Sequence, residues 1–558
     1  MIDSIVGLFQ NYPQFAVFLS VAIGYYIGKI KIFGFNLGST AGVLIAALVV
    51  GQMNIPVPSL LKTVAFALFI FTIGYKVGPQ FFSGMKKDGI KYLWLSLFVG
   101  FVGLGLAIVL GKFFGFDKGT TAGLLGGSLT QSAVIGTAEG AIKHLAITGA
   151  EKTTLESNVA IAYAITYIFG TAGLVVFYKL IPKFLRIDLK EESRKLEKEM
   201  SGEEGEDDPE LFNWYKQLSL RAHKVENSNI AGKTVDEFQK TFSMPVVVKR
   251  IERNDEVILP DLETIIQSGD IVALLGDRSQ FLNSDQLVGP EVDDKDVVDI
   301  IGEILEVCVL SKEVLGKTLG DISKEHGRGC FLRSLSRQGH KLPLTKNTII
   351  QSCDILRIAG TKNDVDKFVK YLGYPEKSTI KTDLVMVAAG CVLGTLLGLA
   401  AVKIGGIPVT LGVGGGVLVS GLIFGWLRSF HPTFGQIPNG AQWIFTDLGL
   451  NLFIACVGLI AGPKAIHALQ QSGGSLLIAG VILVMTTHIL GIIFGRVVLK
   501  LNPVLLFGAM TGAGTITAAL NALKEESGSD APAIGYTVCY AFGNVILTIW
   551  GSFIINVM

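Results

Sequence analysis

Two short segments place hydroxyl side chains at close, regular spacing inside apolar stretches. They are Ser128-x-Thr130-x-Ser132 and Thr511-x-x-x-Thr515-x-Thr517. Hydroxyl groups hydrogen-bond carboxylates, and the N-terminus of a half-helix adds free N–H groups and a positive dipole end. We expect these six side chains to bind a small anion near the middle of a membrane. The alternative is that they only allow helices to pack closely.

A single lysine stands in another apolar stretch, the segment from Phe71 to Pro79. A lysine at the centre of a membrane span costs about 2.5–3.5 kcal/mol and usually has a function. We expect Lys76, with its neighbour Tyr75, to contact a substrate carboxylate and to neutralise it as a point charge. The alternative is that Lys76 extends to the lipid headgroups. Its counterpart in the second half is Ile460, so such a role is asymmetric.

Other polar residues in apolar segments give weaker indications. Asn544 stands where the first half has Thr171, and we include it among the substrate ligands. Asp447 and Asn451 lie one helical turn apart and either line a polar cavity or lie near the interface. His488 either titrates or is a hydrogen-bonded core histidine. Four tyrosines are predicted to be packing residues with hydrogen-bonded hydroxyl groups: Tyr163, Tyr167, Tyr536 and Tyr540.

The composition requires a membrane around these residues. Of 558 residues, 50% are hydrophobic and 17% are charged, whereas soluble proteins have about 25% charged residues. The mean hydropathy is +0.51. Most charged residues lie between Arg186 and Lys381, so a soluble segment separates two membrane segments. No cleavage pattern follows the first apolar segment, which we interpret as a retained span.

Cysteine usage argues against redox or metal chemistry. The six cysteines are scattered, without a C-x-x-C pair, and none precedes residue 300. We therefore predict no metal site, no disulfide framework and no cofactor.

Each half contains five segments long enough to span a bilayer, which takes about 20 apolar residues. In the first half they are 15–30, 37–53, 60–80, 91–112 and 158–182, and in the second half 382–403, 408–427, 440–461, 473–498 and 532–556. Two further stretches, 120–145 and 505–523, are rich in small and hydroxylated residues, and the first contains Glu139. Irregular backbone is tolerated in a membrane only where protein buries it or water reaches it. We therefore expect re-entrant hairpins or broken helices whose tips meet.

Positive charge predicts the orientation. Three basic clusters fall on one side if the stretch 120–145 enters and leaves by the same face: Lys29 and Lys31; Lys86, Lys87 and Lys91; and Lys179, Lys183 and Arg186. The positive-inside rule makes this side cytoplasmic. The central domain is then cytoplasmic, and both termini are periplasmic or extracellular.

The two membrane halves share motifs in the same order. Leu37 to Leu44 matches Leu411 to Leu418, and the pattern from Tyr163 to Gly170 recurs from Tyr536 to Gly543. A third pair provides hinge or packing positions: Gly74-x-x-x-Gly78-Pro79 and Gly458-x-x-x-Gly462-Pro463. Because five crossings are an odd number, the second half starts from the opposite side. Inverted repeats are typical of secondary transporters.

The soluble segment repeats as well. Gly232-Lys233-Thr234 and Gly269-Asp270-Ile271 recur as Gly316-Lys317-Thr318 and Cys353-Asp354-Ile355, each around a predicted strand. We predict a tandem of small α+β units. The domain boundaries are 1–186 for the first membrane repeat, 187–212 for a charged linker, 213–290 and 291–378 for the tandem, and 379–558 for the second membrane repeat.

Each α+β unit resembles the C-terminal subdomain of regulators of potassium conductance, the TrkA-C type. Two such subdomains between two five-span halves resemble the aspartate:alanine exchanger family of bacterial antiporters. This resemblance implies a homodimer in the bacterial inner membrane. It also implies exchange of an acidic amino acid or dicarboxylate, L-aspartate as best guess, for a small carboxylate, L-alanine as best guess, by alternating access. The expected partners are these substrates, the lipid bilayer and an unknown regulatory ligand of the cytoplasmic domain, without nucleic acid.

Other classes of protein fit the sequence less well. A ligand-gated ion channel or ion transporter would suit the regulatory subdomains, but Thr72-Ile73-Gly74-Tyr75 is followed by Lys76 rather than by the glycine of a potassium filter. A membrane sensor would need an output motif such as that of a kinase or a cyclase. The sequence contains no such motif, which disfavours this class. An enzyme is least expected because no cluster of nucleophile, base and orienting residue is visible.

Overall fold

The computed structural model describes residues 2–32, 35–36, 38–84, 89–201, 218–242, 246–254, 256–277, 287–292, 302–326, 330–375, 381–404, 407–410, 412–430 and 435–558. The chain divides into two compact units. We call Met1–Arg194 with Ser378–Met558 the membrane unit, and Lys195–Lys377 the tandem unit.

Helices dominate the first half of the membrane unit. They are α1 (Ile2–Asn11), α2 (Pro13–Ile27), α3 (Ser39–Val50), α4 (Ser59–Gly84), α5 (Ile90–Phe113), α6 (Lys118–Ser128), α7 (Ala133–Lys143), α8 (Gly149–Ile168) and α9 (Leu174–Phe184). A short hairpin of β1 (Lys31–Ile32) and β2 (Phe35–Asn36) joins α2 to α3. A π-helical turn, Phe169–Gly173, joins α8 to α9. Helix α10 (Leu189–Ser201) follows and occupies part of the predicted charged linker.

The tandem unit contains two antiparallel sheets. Its elements are β3 (Leu218–Lys224), α11 (Val235–Gln239), β4 (Val247–Arg253), β5 (Glu256–Ile258), β6 (Ile271–Asp277), β7 (Gly302–Val309), α12 (Leu319–His326), β8 (Cys330–Arg337), β9 (His340–Leu342), β10 (Ile355–Thr361), α13 (Lys362–Leu372) and β11 (Gly373–Pro375). The strand orders are β3-β6-β4-β5 and β11-β7-β10-β8-β9. The strands predicted near Val246–Glu252 and Phe331–Ser336 are confirmed as β4 and β8.

The second membrane half repeats the order of elements in the first. It consists of α14 (Leu384–Leu399), β12 (Ala401–Ile404), β13 (Ile407–Thr410), α15 (Gly412–Arg428), α16 (Asn439–Trp443), α17 (Gly449–Ile493), α18 (Pro503–Ala513), α19 (Thr517–Ser527) and α20 (Pro532–Val557). Both halves have two short helices, then a long apolar helix, then a broken helix pair and a final span; the long apolar helix is divided into α4 and α5 in the first half and is continuous as α17 in the second. The predicted repeat is therefore visible in the structure.

Long apolar helices carry the spans. Within the described residues, five are long and apolar enough to cross a membrane: Ser59–Phe82, Ile90–Phe114, Gly149–Phe184, Asn439–Val498 and Pro532–Val557. Shorter apolar helices stand at the other predicted spans. The protein is thus a polytopic α-helical membrane protein with a central soluble α+β tandem.

The predicted division between spans 440–461 and 473–498 is wrong in one respect. Helix α17 runs through both without an intervening loop, although Pro463 lies inside it. The segment between them, from Lys464 to Ser472, consists mostly of residues that tolerate a helix, such as alanine, leucine, lysine and glutamine. The helix propensity of this segment is therefore high enough for the helix to continue through it, although a turn is predicted there from the sequence.

The glycines of the Gly-x-x-x-Gly-Pro motifs serve packing. A Cβ atom on Gly74 would lie 2.4 Å from the Leu418 carbonyl oxygen, and one on Gly421 would lie 2.3 Å from the Phe71 carbonyl oxygen. In the second half, Gly458 and Gly462 approach α3 and the turn after it in the same way, with a Cβ on Gly462 2.6 Å from the Gly51 backbone. Each repeat thus packs its long span against a short helix of the other repeat.

Candidate functional site at the two helix breaks

The two helix breaks occupy equivalent positions and touch each other. Thr130, between α6 and α7, has a φ of 52°, and Thr515, between α18 and α19, has a φ of 57°. The Thr130 hydroxyl donates to the Gly514 carbonyl at 3.1 Å, the Thr515 hydroxyl donates to the Leu129 carbonyl at 3.3 Å, and the two hydroxyls lie 3.5 Å apart. We call this the tip contact. A β-branched residue rarely adopts a positive φ, and functional sites concentrate such strain.

A tyrosine supports each break from the following span. The Ser132 hydroxyl lies 2.6 Å from the Tyr163 hydroxyl, and the Thr517 hydroxyl lies 2.8 Å from the Tyr536 hydroxyl. Both tyrosines are fully buried. The prediction of packing tyrosines with hydrogen-bonded hydroxyl groups is confirmed for this pair. Ser132 and Thr517 each keep hydrogen-bonding capacity, because a hydroxyl group offers one donor and two acceptor sites.

The remaining predicted ligands differ in their availability. Ser128 is fully buried, and its Oγ has no hydrogen-bond partner among the residues that the structure describes. The Thr511 hydroxyl donates to the Gly508 carbonyl of its own helix at 2.8 Å. The Asn544 side chain accepts from Gln131 Nε2 at 3.2 Å, which joins α20 to the first break. Gln131 is not among the predicted ligands, since a lone glutamine beside hydroxyl residues belongs to no motif.

Lys76 lies on α4. Its side chain is exposed, whereas its neighbours Tyr75 and Val77 are buried. No carboxylate of the described residues acts on its ammonium. Tyr75 itself is turned into the protein, where its hydroxyl donates to the Gly435 carbonyl at 2.7 Å.

A second lysine of α4 is paired. Lys62 Nζ lies 3.0 Å from Glu139 Oε2 on α7 and 3.4 Å from Glu156 Oε2 on α8. We call these three residues the ion triad. In the sequence, Glu139 is notable only as a carboxylate within a stretch of small and hydroxylated residues. Lys62 and Glu156 are not among the predicted site residues. Each lies in the N-terminal part of its helix, where a charged side chain is expected at the membrane interface.

The other polar candidates lie in two separate clusters. Asn451 is fully buried and donates to the Tyr25 hydroxyl at 3.1 Å, while Tyr25 donates to Asp447. His488 is fully buried, and its Nδ1 lies 2.7 Å from the Tyr178 hydroxyl. Within the described part of the chain, its Nε2 has no hydrogen-bond partner. Asp447 and Asn451 thus belong to a hydrogen-bonded network with Tyr25 of α2, just before the second Gly-x-x-x-Gly-Pro motif in the chain.

Comparison with known proteins identifies the family. The model of the Asp-Al_Ex family, described as a predicted permease membrane region, matches residues 16–183 and 386–556, and the TrkA-C domain matches residues 220–283 and 305–373. The chain belongs to the Asp-Al_Ex permease family. The resemblance seen in the sequence is confirmed.

Relatives of the permease share its whole length. An uncharacterized transporter of Bordetella parapertussis is 38% identical over 99% of this chain and 98% of its own. An uncharacterized transporter of Shewanella oneidensis is 37% identical over 98% of this chain and 98% of its own. One of Zymomonas mobilis is 34% identical over 100% of this chain and 99% of its own. No solved structure matches the permease. The permease is therefore a multi-pass membrane protein of a transporter family.

Proposed function

We propose that the permease is a secondary active antiporter that exchanges an acidic amino acid or dicarboxylate for a small carboxylate. The best candidates are L-aspartate and L-alanine. The observation that carries this proposal is the Lys76 ammonium, which lies on a membrane span and on which no carboxylate of the described residues acts. A cation on a span is costly without a counter-ion, and an anionic substrate would reduce that cost.

The helix breaks support the same substrate class. Helices α7 and α19 begin at Ala133 and Thr517, beside the tip contact. The first N–H groups of a helix have no partner within it, and they favour an anion together with the positive end of the dipole. Ser132 and Thr517 add hydroxyl groups at these N-termini. Ser128, Thr511 and Asn544 complete the proposed lining.

The proposal extends to orientation and assembly. We place the tandem unit in the cytoplasm and both termini outside, in a bacterial inner membrane, on the strength of the basic clusters. The permease would act as a homodimer whose tandem units pair and bind a regulatory ligand. These features follow from the resemblance and the charge pattern.

Uptake into proteoliposomes tests the exchange. Vesicles preloaded with L-aspartate, L-alanine, succinate or buffer alone receive labelled L-aspartate from outside. We expect rapid uptake only with an internal carboxylate, because an antiporter cannot return empty. Uptake that ignores the internal solute, in vesicles with folded protein, would remove the exchanger proposal.

Substitution of Lys76 tests the site. We expect Lys76→Met to raise the KM for aspartate about tenfold or more, since a lost charge pair of about 1.4 kcal/mol corresponds to a factor of ten. Lys112→Met on α5 is the control, because Lys112 is an exposed lysine near the end of a span. Equal KM values for the two variants would place Lys76 outside the substrate path.

A further inference from the structure

Three polar atoms near the helix breaks are fully buried and have no hydrogen-bond partner among the described residues. They are Ser128 Oγ on α6, Thr487 Oγ1 on α17 and His488 Nε2 on α17. A threonine inside a helix commonly donates to the carbonyl one turn before it, as Thr166 does to Ala162 at 2.8 Å, but Thr487 does not. Leaving a buried polar atom unsatisfied is costly. Three such atoms in one region indicate a place where a polar ligand binds.

One face of α17 carries these contacts to both helix breaks. A Cβ atom on Gly514, the residue before Thr515, would lie 3.3 Å from His488 Nε2. About two turns earlier on α17, a Cβ atom on Gly480 would lie 3.5 Å from Ser128 Oγ. The same face of α17 therefore packs against the end of α6 and against the second break. His488 Nε2 lies directly behind the tip contact.

The Tyr178 hydroxyl determines how His488 can hydrogen-bond. It lies 2.7 Å from His488 Nδ1, and the described part of the chain gives this hydroxyl no other partner. A buried hydroxyl donates its hydrogen where an acceptor is available, so Tyr178 donates to Nδ1. The other nitrogen of a neutral imidazole then carries the hydrogen. Nε2 is thus a buried N–H donor beside the second break.

Aromatic rings hold the imidazole in a fixed orientation. The ring centroids of Tyr178 and Phe177 lie 5.7 Å and 6.3 Å from that of His488, both in edge-to-face geometry. Phe507 on α18, which leads to the second break, packs against Tyr178 with its centroid at 6.4 Å. A side chain that is already ordered loses little conformational entropy when it binds a ligand. This packing therefore suits a binding residue.

The imidazole belongs to one repeat only. Thr130 and Thr515 are 385 residues apart, and the two Gly-x-x-x-Gly-Pro motifs are 384 residues apart, so His488 corresponds to Gly103 or Leu104 of α5. Neither of these residues has a polar side chain. A site that both repeats build around the tip contact therefore has this donor at one end only.

We propose that His488 is a further substrate-binding residue, whose Nε2–H group donates to the carboxylate that aspartate has and alanine lacks. The inference rests on the exchange proposed above and names a residue that determines its specificity. The first half supplies Lys76 and the N-terminus of α7 for the carboxylate that both substrates share. The second half supplies the N-terminus of α19 and His488 for the second carboxylate. Movement of Gly514 when the tip contact opens uncovers the Nε2–H group to the substrate.

Ligand binding and exchange by the full-length permease test this role. Purified wild type, His488→Met, His488→Gln and the control His467→Met are titrated with L-aspartate and with L-alanine, with thermal stabilisation as the readout of binding. The same proteins are assayed for exchange in proteoliposomes. Methionine fills the space of the imidazole without an N–H group, and glutamine keeps an N–H group at the end of its side chain. His467 is an exposed histidine of the same helix.

The expected effect is selective for the acidic substrate. Because a hydrogen bond to a carboxylate is lost, His488→Met should raise the Kd for aspartate about tenfold or more and leave that for alanine within about twofold. His488→Gln should regain most of the affinity for aspartate, and His467→Met should match wild type. Should His488→Met fold poorly, Gly514→Ala places a methyl group 3.3 Å from Nε2 and should give the same selective loss.

The outcomes separate this inference from the exchange itself. Folded variants that lose affinity for both compounds equally, for alanine alone or for neither would overturn the role of His488 and leave the exchange intact. Aspartate binding that depends on His488, in a permease that does not exchange, would overturn the exchange and support the binding residue. A wild-type permease that binds neither compound would overturn both.

Discussion

The same arginine–aspartate pair occurs twice in the tandem unit, at two degrees of burial. Arg337 makes two hydrogen bonds of 2.7 Å to Asp354, and Arg253 makes bonds of 2.9 Å and 2.8 Å to Asp270. Each arginine also donates to a backbone carbonyl, and each aspartate also accepts from a backbone N–H group. The hydrogen bond to Asp270 raises the pKa of Arg253 above its ordinary value. The two TrkA-C domains thus share this side-chain arrangement.

Burial predicts that the two copies respond differently to loss of the arginine. The Arg337 and Asp354 side chains are 3% and 0% exposed, whereas Arg253 is 23% exposed. We expect Arg337→Met to destabilise its sheet by about 3–5 kcal/mol, since it leaves Asp354 as an unpaired buried charge. The loss for Arg253→Met should be smaller, because water can reach the arginine side of that pair.

Hydrogen exchange of the full chain measures this difference, because it reports the opening of each sheet separately. Faster exchange should be confined to β8 and β10 in one variant and to β4 and β6 in the other. Arg357→Met is the control, since Arg357 is an exposed arginine on β10. Equal losses of protection in the two sheets would show that burial does not set the strength of these pairs.

At the level of elements, the tip contact is the feature that holds the two broken helix pairs together. The hydroxyls of Thr130 and Thr515 donate across it in both directions. Threonine and valine have the same shape, so Thr→Val substitution removes the hydroxyl and keeps the strained backbone. We expect each single variant to lose about 1 kcal/mol of stability. The double variant should lose less than the sum, because the two hydroxyls lie 3.5 Å apart and belong to one network.

Thermal unfolding of the purified wild type, the two single variants and the double variant measures the coupling free energy between the Thr130→Val and Thr515→Val substitutions. Thr153→Val is the control, because the Thr153 hydroxyl donates to the Gly149 carbonyl within an exposed turn of α8. Strict additivity of the Thr130 and Thr515 effects would mean that the two breaks are independent.

The sequence predicts these elements unevenly. Stretches rich in small and hydroxylated residues predicted both helix breaks, and matching motifs predicted their symmetry. The β1-β2 and β12-β13 hairpins were not predicted. Their strands are only two to four residues long, which is too short for an alternating pattern of apolar and polar residues to be recognised. The ion triad was not predicted either, because its members lie on three helices and only the packing of α4, α7 and α8 brings them together.

At the scale of the whole molecule, the membrane unit consists of two repeats. If the repeats are inverted, equivalent positions in them lie on opposite sides of the membrane. Ala146 follows α7, Glu525 lies near the end of α19, and both are exposed. These helices correspond in the two halves, so inversion places the two positions on opposite sides of the membrane. The basic clusters further predict that Ala146 lies outside and that Glu525 lies in the cytoplasm.

Single cysteines in a cysteine-free permease test this arrangement. We expect Ala146→Cys to react with a membrane-impermeant maleimide in intact cells, and Glu525→Cys to react only after the cells are permeabilised. Lys190→Cys on the exposed surface of α10 is the cytoplasmic control and should behave like Glu525→Cys. Labelling of both Ala146→Cys and Glu525→Cys from one side would contradict inverted repeats. The reverse pattern, with only Glu525→Cys labelled in intact cells, would support inverted repeats but contradict the predicted orientation. The two predictions are separable because the inversion is predicted from the repeated motifs, whereas the orientation is predicted from the positions of the basic residues.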